Sequence, residues 1–289
     1  MTQVLAVDLG ATKTTIALVD DAGDVTQRSK QPAARSLAES VTQIAHAYAR
    51  CGVRPAAVGV IVPGIYNAAT GSSWCPNLWG HDEVPLRDAI EAKVKIPIVV
   101  DSDRAGYVLG ESWLGAARGL RHVVFVGIGT GIGVGILSAG RVLEGAHGIA
   151  GAAGWMSLAA EWREEYERRG CWESESAGPA VARAFGVDGA EPVVAAARRG
   201  DAKALAVLEH AARATGRGIA NLISILNPEM VVLGGGLMQG AHEWMLPAIR
   251  EEALRWAQPV AVRKCRLEVT QLGEDAGLLG AARLAHTRN

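Results

Sequence analysis

Apolar and polar positions alternate along the chain in blocks that read as short strands and longer helices. Val4-Leu5-Ala6-Val7 runs through Asp8 and Leu9 into Gly10, and Thr14 to Val19 follows as a second strand after a glycine turn. Asp20 to Asp24, with Gly23, makes a further turn. Leu37 to Arg50 has helical spacing. Ala57 to Val62 is an unbroken apolar run, as a buried parallel strand requires; Leu86 to Lys93 reads as a helix and Ile96 to Val100 as another buried strand. Asp103 to Leu114 is the helix that follows it. A second strand–glycine–strand pattern opens at His122 and continues from Val123 to Leu137. Setting Val126 on Val7 brings Gly129 onto Gly10, a candidate internal duplication, although any two hydrophobic hairpins share such a likeness.

The second half is mostly helical: Ala177 to Phe185, Glu191 to Arg199, and Ala202 to Leu226, where Asn227-Pro228 ends the helix because proline cannot continue it. Met230 to Leu233 is a strand that enters Gly234-Gly235-Gly236. Glu243 to Trp256 is a helix, Arg266 to Thr270 a strand, and Asp275 to Ala285 a closing helix. Strands alternating with helices place the chain in the α/β class. Its 289 residues suit two lobes of ordinary size, with the boundary near Gly115 to Gly119.

Composition narrows the function. With 49% hydrophobic and 20% charged residues and a net charge of −1, the chain can bury a large core, and it has no basic stripe or acidic tail to bind nucleic acid. The four cysteines, Cys51, Cys75, Cys171 and Cys265, lie far apart and form no CxxC pair, as expected of free thiols in a reducing cytoplasm. No apolar run is long enough to span a bilayer, and the amino terminus enters a strand pattern directly, without a signal-like segment, so no membrane partner is expected.

Glycine is abundant at 35 residues, and three glycine-containing turns follow apolar runs: Asp8 to Thr14, Gly127 to Gly135 and Gly234 to Gly240. Glycine lets backbone amides face a phosphate without an intervening Cβ. One such turn says little; three, each after a buried strand, point to a nucleotide site. GxxxxGK[ST] is missing and no GxGxxG opens a helix after the first strand, which excludes the P-loop and disfavours a dinucleotide fold. The first turn carries Asp8, Gly10, Thr12, Lys13 and Thr14. A carboxylate beside phosphate donors suits Mg²⁺ held through water, or Asp8 merely tightens the turn.

Together these segments resemble the ROK family of bacterial sugar kinases, within the actin, Hsp70 and hexokinase superfamily. Asp8-Leu9-Gly10-Ala11-Thr12-Lys13-Thr14 resembles the family's D-x-G-G-T-K-x phosphate loop, and Val62-Pro63-Gly64 its substrate-side P-G turn. Pro76-Asn77-Leu78-Trp79-Gly80 with Val84-Pro85-Leu86 resembles P-N-L-x-G-W…V-P-L. Ile96 to Asp103 resembles the strand and E-N-D-A-N motif, Leu233 to Gly236 the adenosine loop, and Gly273 to Ala282 the closing helix. The match covers nearly the whole chain in order.

The resemblance implies a two-lobed actin-like ATPase (ribonuclease H-like) fold. A small lobe would span 1–117 and a larger one 118–274, with the helix 275–289 packing back on the first. It implies ATP and Mg²⁺ as cofactors, with Asp8 holding the metal through water. Asp8, Gly10, Thr12, Lys13, Thr14, Gly129, Thr130, Gly131, Gly234, Gly235 and Gly236 would bind the nucleotide. Gly64, Asn77, Ser102, Asp103, Trp155 and Glu173 would face a small polyol. Asp103 would be the general base; a sugar hydroxyl is a weak nucleophile, and a carboxylate at its proton assists phosphoryl transfer. Read from position alone, Asp101, Ser102 or Asp103 could equally cap the helix that follows. A homodimer and a cytoplasmic location accord with the family's habit.

Departures from the family concern the substrate. Where it has A-G-E-x-G-H, this chain has Ala150-Gly151-Ala152-Ala153-Gly154-Trp155, so Ala152 replaces a Glu and Trp155 a His. Of its structural zinc ligands only Cys171 remains, with Glu164 and Tyr166 roughly where two others would stand; no structural zinc is expected, and packing by Trp155, Trp162 and Trp172 is expected to replace it. Ser102 and Ala105 replace two Asn. An apolar Trp face suits a carbocycle or the C–H face of a ring, so the acceptor is either a seven-carbon cyclitol or a hexose held by other residues. A non-catalytic sugar or nucleotide sensor is the alternative. A DNA-binding repressor is disfavoured, since the chain begins at its first strand.

Overall fold

A computed structural model describes residues 1–287, which fall into two units. The first comprises Met1–Gly119, Val142–Ala150 and the chain from Glu274 on; the second comprises Leu120–Arg141 and Gly151–Gly273.

In the first unit the chain forms β1 (Gln3–Leu9), β2 (Lys13–Asp20), β3 (Val25–Pro32), α1 (Leu37–Ala49) and β4 (Val58–Val62). A small hairpin, β5 (Ile65–Asn67) and β6 (Ser72–Trp74), leads to the short α2 (Pro76–Trp79). Then come α3 (Leu86–Val94), β7 (Ile98–Ser102) and α4 (Asp103–Leu114). The sheet order is β3-β2-β1-β4-β7, with β1, β4 and β7 parallel and β2 and β3 antiparallel. β3 is absent from the pattern reading because Val25–Pro32 is an exposed edge strand carrying Arg28 and Lys30, with no apolar alternation to reveal it.

The second unit opens with β8 (Val123–Ile128), β9 (Ile132–Ser138) and β10 (Arg141–Val142). The short α5 (Tyr166–Arg169) and α6 (Cys171–Ser176) precede α7 (Gly178–Phe185), α8 (Glu191–Arg198) and α9 (Ala202–Leu226). β11 (Met230–Gly234), α10 (Gly236–Trp256), α11 (Pro259–Lys264) and β12 (Arg266–Val269) complete it. The sheet order β10-β9-β8-β11-β12 repeats that of the first unit, with β8, β11 and β12 parallel. The likeness of Val7 and Val126 therefore extends to two whole sheets. Helix α10 starts seven residues earlier than Glu243. The glycines read as a turn up to Gly240 instead open the helix, entered from Gly235 at φ +88, and Pro247 is carried inside it.

The chain ends in α12 (Ala276–Thr287), within the first unit; positions 288 and 289 of the expected helix lie outside the described residues. Its small residues allow very close approach: a Cβ on Gly280 would fall 1.8 Å from the Gly106 carbonyl oxygen of α4. Residues 142–150 also join the first unit, whereas the sequence pattern puts them in the second lobe. Arg104 of α4 secures them, its Nη2 donating to Gly148 O (3.3 Å) and to Gly64 O (3.4 Å). Each unit has its own apolar core, around Leu5, Ile44 and Ile90 in the first and Ile128, Leu208 and Ile219 in the second. Among the described residues no helix is long and apolar enough to cross a membrane.

Candidate active site

Parallel strands in an open sheet deliver loops to their carboxyl ends, and ligand sites gather there. In the first unit that edge collects Asp8 from β1, the Pro63-Gly64 turn after β4 and Asp103 after β7, since Asp8 is in register with Ile61, and Ile61 with Asp101.

Ser102 decides what Asp103 is free to do. Ser102 caps α4, its Oγ accepting the Ala105 N–H at 3.3 Å, and Asp101 Oδ1 accepts the Ser102 N–H at 2.7 Å. Asp103, the first helical residue, is thereby released from capping. Ser102 itself is buried, so its oxygen serves the helix.

Asp103 is half-buried, and burial lifts its carboxyl to about 6 against the pull of the Arg104 guanidinium and of the N–H groups of Arg104 and Asp103. Asp8 is lifted further, to about 7, by burial and then by the charge of Asp103, while Lys13 lowers it. The two carboxylates thus share one patch of low dielectric. Tyr107, one turn beyond Asp103, feels both: burial, Asp8 and Asp103 hold its phenol well above the ordinary value. Gly277 of α12 makes room for this group, because a Cβ there would lie 2.5 Å from Asp8 Oδ2 and 3.0 Å from Tyr107 Cε1.

The remaining expected residues of this unit surround that edge. The N–H of Gly10 donates to Lys13 O at 2.9 Å, closing the turn between β1 and β2. Thr12 is exposed, and Thr14 is buried within β2. Lys13 is ion-paired, its Nζ 2.9 Å from Glu274 Oε2. Asn77 is exposed on α2; Arg35, which sequence reasoning passed over, reaches both the Asn77 and the Ala11 carbonyl oxygens at 3.4 Å.

In the second unit, Gly129, Thr130 and Gly131 form the β8–β9 turn, with the Gly129 N–H on Gly131 O at 3.0 Å. Gly234 ends β11, in register with Gly127, and Gly235 and Gly236 lead into α10, so both glycine segments stand at the same carboxyl edge. Gly129 O accepts the Gly178 N–H at 2.8 Å, anchoring the start of α7 to the turn. Glu173 binds the same turn, its Oε2 accepting the Ile132 N–H at 2.9 Å. Burial raises its carboxyl, while that N–H and Arg169 lower it.

Trp155 and Trp162 are 58% and 70% exposed, and only Trp172 is buried. The expected packing by three tryptophans is therefore corrected to one: the Trp172 ring lies over Gly218 of α9, where a Cβ would come within 2.6 Å. The neighbouring segment is tied by polar contacts instead. Tyr166 Oη donates to Glu175 Oε1 at 2.6 Å, and Arg163 and His210 also pair with Glu175. Among the described residues no three His, Cys, Asp or Glu side chains cluster as metal ligands. Two carboxylates at one strand edge do fit Mg²⁺, which takes one or two protein carboxylates and fills its octahedron with phosphate oxygens and water.

The ROK family model matches residues 4–288. The chain belongs to the ROK family. A glucokinase of Halalkalibacterium halodurans is 28% identical, over 96% of this chain and 92% of its own length. The crystal structure of a ROK family glucokinase from Streptomyces griseus, in complex with glucose and AMPPNP, superposes with a TM-score of 0.83 at 28% identity, covering 98% of this chain and 99% of that one. A ROK family transcriptional regulator, homologous to the E. coli MLC protein, gives 0.87 at 25% identity, covering 98% of this chain and 77% of its own. The fold of this ROK protein is the α/β fold of the actin-like ATPases.

Proposed function

We propose that this protein is a kinase that transfers the terminal phosphoryl group of ATP to a hydroxyl of a small sugar-like polyol. The observation that carries the reading is Asp103, a carboxylate released from helix capping by Ser102 at the carboxyl edge of a parallel sheet. In the reaction the acceptor oxygen forms a bond to the γ-phosphorus, the bond to the ADP oxygen breaks, and the acceptor proton passes to Asp103 Oδ. A carboxyl near 6 is ionised at neutral pH yet basic enough to take that proton. Gly131, Gly235 and Gly236 would present amides free of side chains to a nucleotide, and the amino end of α10 adds its dipole. Mg²⁺, held by Asp8 through water, would neutralise charge on the phosphates.

The side chains proposed to meet the acceptor offer few polar contacts. Ala152 offers no side-chain hydrogen bond and Trp155 only its indole N–H donor, and a polar site discriminates chiefly by leaving unmatched groups unpaired. The exposed Trp155 ring suits an apolar ring face, as on a carbocyclic polyol. A hexose held by other groups is the competing acceptor. ADP release measured against hexoses, amino sugars and cyclitols separates them: turnover of a cyclitol above glucose supports the carbocycle, and the reverse order rejects it. A sensor without turnover is the second reading, favoured by the likeness to a transcriptional regulator; ADP release with any polyol of the panel rejects it.

A further inference from the structure

Lys13 does not stand alone beside Asp8. Its Nζ is 2.9 Å from Glu274 Oε2, and the Nζ of Lys30 is 2.8 Å from the same oxygen. Next to them Arg28 pairs with Asp275. Lys30 and Lys13 are diagonal neighbours on adjacent antiparallel strands, since Lys13 is in register with Pro32 and Thr15 with Lys30. A cross-strand diagonal lies within reach of long side chains on one face. The cluster holds three cations and two carboxylates, which leaves one positive charge over.

We propose that Lys30 is a positioning residue for the donor site, acting through Glu274 to hold the Lys13 ammonium in place while keeping the cluster cationic. The inference rests on the kinase reading above. A lysine side chain is long and loses much rotamer freedom on binding a phosphate, so a pre-formed partner lowers that cost. Glu274 alone would do this at the expense of the charge, because a lone Lys13–Glu274 pair is neutral. A second lysine on the same oxygen restores the charge. It also divides the hold of the carboxylate, so Lys13 can turn to a phosphate without leaving Glu274 unpaired. Hydrogen bonds from Lys30 and Lys13, with the Lys13 charge, pull the Glu274 carboxyl down to about 2, so it stays ionised throughout the working range.

The test is equilibrium binding of ATP with Mg²⁺ to the full chain, alongside steady-state turnover. Lys30 is exposed on an edge strand, so its variants fold. K30M is expected to weaken ATP binding about tenfold, the scale of one lost charge-assisted contact, with the acceptor KM unchanged, and K30R to restore it within about twofold. In a K13M background, K30M should change ATP affinity less than about twofold, because its route of action is gone. ATP affinity unmoved by K30M, or an equal loss with and without Lys13, overturns this proposal alone. No binding of ATP by the unaltered protein overturns it together with the kinase reading.

Discussion

Gly277 of α12 stands against Asp8 so closely that a Cβ would fall 2.5 Å from the Asp8 carboxylate oxygen Oδ2. The closing helix therefore forms one wall of the site, and its small residues are what bring it there. Gly277→Ala should displace Asp8 and the Tyr107 ring. Overpacking of this kind costs about 1–3 kcal/mol. The melting temperature should fall by several degrees and the Mg²⁺ dependence of turnover should shift to higher concentration. A variant that keeps both would show that α12 yields without moving Asp8.

Asp103 and Asp8 make opposite demands on stability and activity. Both have folded-state values raised above the ordinary 3.8, to about 6 and about 7, so the folded protein binds more protons than the unfolded chain between about pH 4 and 7. Their contribution is fully present below about pH 4 and is lost as pH rises through 6 and 7. Asp103→Asn should consequently raise the melting temperature at pH 8, by an amount worth at most about 3 kcal/mol, and by about half as much at pH 5. A melting series across pH checks this; an equal shift at both values contradicts it.

Turnover should follow the opposite course. If the ionised Asp103 carboxylate is the base, as proposed, kcat/KM should fall as pH drops through about 6. A profile flat from pH 5 to 8 would mean that Asp103 does not titrate in the rate-limiting path.

Trp155 tests the acceptor side. Its ring is exposed, so Trp155→Ala costs little stability. The acceptor KM should rise several-fold, with the ATP KM unchanged, as expected for lost apolar contact of this size. Equal KM values for variant and parent would remove Trp155 from the acceptor site.

Much of this was legible from residues alone, for physical reasons that differ by element. Buried strands such as Val58–Val62 and Met230–Gly234 announce themselves as apolar runs between turn residues. The carboxylates and glycine turns were found because strand ends carry them. The edge strand Val25–Pro32 was not, and Lys30 was passed over with it, since an exposed strand shows no hydrophobic period. That Ser102, rather than Asp103, caps α4 depends on a hydroxyl direction that no spacing encodes. The burial of Trp172 beside the exposure of Trp155 and Trp162 depends on Gly218, 46 positions along the chain from Trp172.

Asp103 is proposed to accept the proton of the acceptor hydroxyl. Turnover and ATP binding measured side by side for Asp103→Asn address it directly. Turnover should drop by about 10²–10⁴-fold, the usual contribution of a general base, while ATP affinity stays within about twofold. Turnover near that of the unaltered protein would contradict the assignment.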